Sequence, residues 1–180
     1  MTEKLYFESA FHSTFQVALK DKLTPAFRAR LKQELDLDLD KLRPAYPYST
    51  LVSAIRLTQA ELFPALPSNE SEAHLGALAF RGFASTMIGR AIVQITKLMG
   101  PERSLPRMTH NMKSSMNFME FTARKLGPGQ HELETNEIGE LPWFYQGMFS
   151  EGLAATAADL RVEVVSTDGH HVLYRFTWKP

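Results

Sequence analysis

The side chains best equipped for chemistry in this sequence are its six histidines: His12, His74, His110, His131, His170 and His171. Imidazole changes charge near neutral pH and is a common metal ligand. The spacing here builds no metal set. His170 and His171 are adjacent, so in a strand their rings point to opposite faces. No neighbouring Cys, His or carboxylate spacing completes a tetrahedral site around them. The chain has no cysteine, which removes disulfides, thiolate catalysis and thiolate–metal sites together. The sequence contains no G-x-S-x-G elbow, no Walker loop and no G-x-G-x-x-G. Gly127-Pro128-Gly129 joins two strand-like runs and opens no helix, so it reads as a turn and not a phosphate cradle. The residues thus name no catalytic group, no metal ligand and no resident cofactor.

Charge is distributed less evenly than its total suggests. Lys plus Arg and Asp plus Glu both count 20, a formal net charge of zero. Nothing global therefore steers the protein toward nucleic acid or an anionic membrane. Locally, Met87 to Lys125 holds Arg90, Lys97, Arg103, Arg107, Lys113, Arg124 and Lys125 against only Glu102 and Glu120. Leu126 to Asp159 holds Glu132, Glu134, Glu137, Glu140, Glu151 and Asp159 with no Lys or Arg. Either adjacent elements pair internally, as Arg124 and Glu134 would across a hairpin, or the two stretches offer an anion groove or complementary faces that join protomers. Arg90, Arg107, Asn111 and Glu137, with Asn117 beside them, are the candidate ligand-binding residues, as a polar cluster near a pocket mouth. The alternative is a buried structural network.

The elements that must position these residues fall into two parts of one domain spanning 1–180, a helical part over 8–116 and a sheet-containing part over 117–180. A chain of this length can bury roughly 70% of its unfolded surface without a metal or disulfide. Phe11, Phe15 and Leu19 recur at helical spacing. Thr24-Pro25 reads as an N-cap followed by proline in the first turn, with Phe27, Leu31 and Leu35 on the buried face. Asp36 to Pro47 reads as loop, and Leu51 to Leu62 as helix. A long helical segment from Ser68 or Asn69 to about Met99 carries Leu75, Leu78, Phe83, Ile88, Ile92, Ile95 and Leu98 as its apolar set. Gly76, Gly82 and Gly89 within it signal a break near Phe80 to Phe83, close approach of another helix, or a ligand. Gly100-Pro101 stops it, and a short helix covers Leu105 to Lys113.

After Asn117 the period changes to two. Phe121 and Ala123, then Leu133 and Thr135, alternate with polar residues across Gly127-Pro128-Gly129, which predicts a hairpin. Leu141 to Ala157 returns to helix, with Phe144, Met148 and Phe149 inward. A second hairpin follows, with Leu160, Val162 and Val164 on the face of Val172, Tyr174, Phe176 and Trp178. Keeping both apolar sets on one face requires Val164 opposite Tyr174 and Val162 opposite Phe176. A three-residue loop, Asp168 to His170, with a glycine bulge would achieve this. The predicted class is α+β: N-terminal helices, then hairpin–helix–hairpin forming a four-stranded antiparallel sheet packed on helices.

Several strings resemble a myxobacteria-restricted paralogous family of unknown function: Leu23-Thr24-Pro25-Ala26, Pro44-Ala45-Tyr46-Pro47, Gly89-Arg90-Ala91 with Met99-Gly100-Pro101, and Arg107-Met108-Thr109-His110-Asn111. Leu126-Gly127-Pro128-Gly129 and Asn136-Glu137-Ile138-Gly139 extend the likeness, which runs from Phe11 to Trp178. Pro142 to Trp178 more distantly resembles a ligand-binding fold found in haem nitric-oxide sensors, vinyl-reductase-like domains and vesicle-tethering subunits. That resemblance implies an apolar pocket and a homodimer, and would make His74 a candidate axial ligand. The Tyr-x-Ser-x-Arg signature of the haem sensors is absent; Tyr46-Pro47-Tyr48-Ser49-Thr50 does not match it. The resulting expectation is a cytoplasmic, non-enzymatic regulatory or adaptor domain for a small apolar ligand or a protein partner. It is expected to lack a membrane span and nucleic-acid binding. The alternatives are an enzyme with a non-motif active site and a haem or tetrapyrrole sensor.

Overall fold

The computed structural model describes residues 3–136 and 139–180. Its elements run β1 (Leu5–Phe7), α1 (Glu8–Phe11, continuing as a π-helix over His12–Ala18), α2 (Pro25–Leu35), β2 (Ala45–Pro47) and α3 (Tyr48–Leu62). Then follow α4 (Ser68–Ser85), α5 (Met87–Ser104), a 3₁₀ turn (Leu105–Arg107), α6 (Met108–Met112), β3 (Phe121–Gly127), β4 (Gln130–Thr135), α7 (Pro142–Leu153), β5 (Arg161–Thr167) and β6 (Val172–Thr177). The expected α+β class with a four-stranded antiparallel sheet is what forms, in the order β3-β4-β6-β5. The short pairing of β1 with β2 was not legible, because Pro44 and Pro47 flank β2 and suggested loop.

The predicted pairings of the second hairpin hold, Val162 with Phe176 and Val164 with Tyr174. The route differs. Thr167 pairs with Val172 across a four-residue loop, and a bulge at Val165 restores the parity that an even loop would break. Asp168 holds that loop by accepting hydrogen bonds from the backbone N–H groups of His170 (2.9 Å) and His171 (2.7 Å). The first hairpin uses the same device, with a bulge between Lys125 and Gly127. Consequently Arg124 opposes Glu132 and not Glu134. Both hairpins thus keep their apolar sets on one face, where Phe149 of α7 meets the rings of Tyr174 (5.2 Å), Phe176 (5.9 Å) and Phe121 (5.9 Å).

The N-cap reading of α2 is correct, since Phe27 N–H donates to Thr24 Oγ1 at 3.1 Å. The long helix breaks at Thr86, whose extended backbone separates α4 from α5, three residues beyond the expected place and not at a glycine. Thr86 Oγ1 then caps α5 by accepting from Gly89 N–H at 3.0 Å. Gly100, at φ 71°, interrupts α5 with non-helical backbone where Gly100-Pro101 was expected to stop it, and helical turns resume beyond. Ile88, Ile95 and Leu98, expected to face a core, are 63%, 55% and 88% exposed.

Both α4 glycines serve close approach. A Cβ on Gly76 would stand 1.8 Å from the Phe144 carbonyl oxygen of α7, and one on Gly82 would stand 1.9 Å from that of Ser13. Gly147 of α7 returns the contact, its Cβ position lying 1.9 Å from Ala73 O. The backbones of α4 and α7 touch, and no side chain fits between them. Replacing Gly76 or Gly147 with Ala therefore forces the helices apart. A loss of at least about 2 kcal/mol is expected, read as a melting temperature lower by about 5 °C or more. Gly127→Ala, which meets open space, should change stability by less than about 0.5 kcal/mol in the same melt.

Candidate functional site

Where α4 and α7 meet, together with the N-terminal π-helix and α5, they leave a cavity of about 100 Å³. The π-helix contributes Ser13 and Thr14, α4 contributes Ala79, Phe80 and Phe83, and α7 contributes Phe144, Met148 and Phe149. Ile92, Val93 and Thr96 of α5 close one side, with Met108, Asn111 and Met112 of α6 beside them. Single π-helical turns frequently sit at functional sites. The walls are mainly apolar, and the polar groups on them are small hydroxyls, one amide and one phenol.

That phenol is Tyr6, on β1. Its hydroxyl lies 2.5 Å from that of Tyr145 on α7. Tyr48 stacks on Tyr6 at 6.0 Å, and its own hydroxyl is buried with no hydrogen-bond partner among the described residues. Tyr174 donates to Pro142 O at 2.8 Å. Burial raises all four phenols above their usual pKa; for Tyr6 the hydrogen bond to Tyr145 opposes this, more weakly. All four are therefore neutral hydroxyls at physiological pH.

Glu72 of α4 lies behind this cluster, 5% exposed. Its Oε1 accepts from Phe144 N–H at 2.9 Å. That amide belongs to the first turn of α7, which has no capping side chain of its own, so a carboxylate from another helix caps it. Burial pushes the Glu72 carboxyl from 4.5 up to about 6, against the opposing pull of the Phe144 and Trp143 amides. Sequence reasoning missed Glu72, because its one signal was a lone acid on a helix. It would have taken knowing that α7 docks there.

The five predicted ligand residues have separate places. Asn111 lines the cavity. Arg90 Nη1 donates to Ser85 O at 2.8 Å, latching α5 to the end of α4. Arg107 is exposed, its Nη1 3.4 Å from Met99 Sδ. Asn117 staples β1, accepting from Leu5 N–H (2.8 Å) and donating to Glu3 O (3.0 Å). Glu137 lies outside the described residues. The acidic stretch is largely spent internally. Glu132 sits between Arg124 and Arg175, Glu151 pairs with Arg81 at 2.9 Å, and Asp159 pairs with Lys179.

Among the described residues no histidine lines the cavity, nor does any Lys, Arg or Cys. His74, the candidate axial ligand, is exposed and meets the Phe63 ring edge-on at 5.0 Å. His131 is buried elsewhere, stacked on Trp178 at 5.1 Å. Among the described residues no three His, Cys, Asp or Glu gather in a way that could hold a metal ion, and no helix is long and apolar enough to cross a membrane.

The family described as protein of unknown function DUF2378 matches residues 4–179, and the chain belongs to it. No curated protein matches the chain. Among solved structures it is similar to a doubly substituted Tt H-NOX, at 13% identity and TM-score 0.65, covering 97% of this chain and 95% of that one. An unliganded Fe(II) H-NOX mutant from K. algicida matches at 10% identity and TM-score 0.64, covering 97% of both chains. An oxygen-binding H-NOX domain related to soluble guanylate cyclases, in its oxygen complex, matches at 13% and 0.61, covering 93% of this chain and 92% of that one. At these identities the likeness is one of fold.

The Glu72 geometry sets a pH dependence. The folded state holds this proton more tightly than the unfolded chain. Its contribution is therefore full below about pH 4.5, declines as pH rises to about 6, and stays lost above. Glu72→Gln should remove a slope worth about 2 kcal/mol across that window. Denaturant melts of both proteins at pH 4.5 and 7 check this.

Proposed function

We propose that this member of the DUF2378 family is a non-enzymatic regulatory domain that takes a small apolar ligand into the cavity between the π-helix, α4, α5 and α7. The observation that carries it is the composition of that wall: apolar side chains from four helices converge on one hole, with the Tyr6 hydroxyl and the Asn111 amide as its orienting polar groups. Ligand sites combine these features, a mainly apolar lining and a few placed polar atoms. At about 100 Å³ the hole limits the ligand to one small ring or a short chain, since a cavity of roughly 150 Å³ takes benzene. Asn111 is retained as a ligand contact. Homodimerisation, a cytoplasmic site of action and restriction of the family to myxobacteria belong to the same proposal.

A haem sensor is the second reading, supported by the fold shared with H-NOX domains, one of them oxygen-binding. The lining does not fit haem. Haem iron takes His, Cys, Met with His, or Tyr as ligand. The cavity offers no His or Cys, its methionines lack a histidine partner, and burial holds the Tyr6 phenol protonated, so it supplies no phenolate. No cation is present to meet propionates. Drug-sized ligands need roughly 300–1,000 Å³, well above the space available.

Titration with toluene, followed by changes in the protein's NMR spectrum, tests the first reading. Saturable one-to-one binding is expected. It should weaken about tenfold or more in Ala79→Phe, which fills the hole, and in Val93→Phe, which fills it from the half-buried side. Absence of binding, or equal binding by folded variants, ends the proposal. Added haem should give no stable Soret band; a stable band would turn the assignment to the second reading.

A further inference from the structure

Helix α5 is apolar on two sides. One side, with Ile92, Val93 and Thr96, lines the cavity. Away from it, Met87, Ile88, Ile95 and Leu98 are 78%, 63%, 55% and 88% exposed, the largest such group on one element among the described residues. At 100° per residue these four side chains and Ala91 fall within an arc of about 100°. Arg90 and Lys97 lie about 20° apart on the same wheel, bordering one edge of that arc. Arg103 and Arg107, past the Gly100 kink, are both exposed. The one carboxylate on α5, Glu102, is taken by Lys125 at 2.5 Å. Among the described residues no carboxylate pairs with Arg90, Lys97, Arg103 or Arg107.

We infer that this face of α5 docks on an anionic lipid surface. The arc is aliphatic and carries no hydrogen-bonding side chain, so an acyl phase satisfies it without polar partners. It lacks the tyrosines and tryptophans that anchor most protein interfaces. The bordering charge is of one sign and unpaired, which complements anionic headgroups. A second copy packed antiparallel on the same face would bring the two basic edges together. Of the carboxylates, Glu132, Glu151 and Asp159 are already paired within the chain. The first segment of α5, Met87 to Met99, is about 20 Å long. It would lie in the plane of the interface, with Arg90 and Lys97 reaching the headgroups. This inference stands apart from the cavity and does not depend on its ligand.

Co-sedimentation with vesicles of phosphatidylcholine alone, and of phosphatidylcholine with phosphatidylglycerol, tests it. The full chain should bind the anionic vesicles at low salt, bind the neutral ones weakly, and release as salt rises. Lys97→Glu with Arg103→Glu should weaken binding about tenfold or more, and Leu98→Ser should weaken it at unchanged charge. Both variants change exposed positions, and an unaltered melting temperature confirms their fold. No binding to anionic vesicles, or binding that both variants leave intact, overturns the inference. So does scattering that shows a dimer lost in Leu98→Ser while vesicles remain unbound, which would assign the face to a second copy. Saturable capture of an acidic peptide without vesicle binding would assign it to a protein.

Discussion

The contact on which the rest depends is backbone against backbone, where α4 and α7 meet through Gly76 and Gly147. With no Cβ in the way, each helix places a glycine on a carbonyl of the other, Phe144 O and Ala73 O. Helices packed through larger side chains sit about 8–10 Å apart, and backbone contact draws the pair closer. The consequence reaches across the molecule. α7 lies on the inner face of the sheet through Phe149, and α4 lies on the π-helix through Gly82. One close pair therefore locks the helical part to the sheet.

That closeness explains two polar features. α7 begins in the protein interior with buried amides and no capping side chain of its own, and Glu72 reaches them because α4 is near enough. Burying a carboxylate is costly, and the elevated proton affinity of Glu72 reflects that cost. The tyrosine hydroxyls behind it pair where they can, Tyr6 with Tyr145 and Tyr174 with Pro142 O, and leave Tyr48 over. The cavity opens beside this cluster, where side chains at the edge of the glycine contact no longer fill the space between helices. Its wall is apolar because the helix faces that make it are core faces.

The uneven charge resolves into two separate facts. The acidic stretch lies mostly on the sheet and α7, where arginines and lysines from other segments neutralise it. The basic stretch has no such partners along α5, and the same helix shows aliphatic side chains to the outside. A helix apolar on both sides is usually a fully buried one. Here it forms one wall of the domain, held at Thr86 by a cap and at Gly100 by a kink.

The sheet was legible from sequence because side-chain period two is a local property. Alternation at Leu160 to Val164 and Val172 to Trp178 permits one register, and that register forms. The bulges at Val165 and beside Leu126 were not legible, since parity can be kept by loop length or by an inserted residue and the pattern is the same for both. The caps of α2 and its proline were read correctly for the same local reason. The glycines were read as packing, break or ligand, and the sequence could not choose. What Gly76 touches lies about 70 residues away, and only the folded chain brings Phe144 there. Glu72, Tyr6 and Asn111 acquire their roles in the same way. The sequence by itself determined the elements, the α+β class and the absence of familiar catalytic motifs, because these depend on neighbours along the chain. The tertiary structure alone decided the cavity, the buried carboxylate and the outward face of α5, because each depends on which distant backbones approach closely enough to touch.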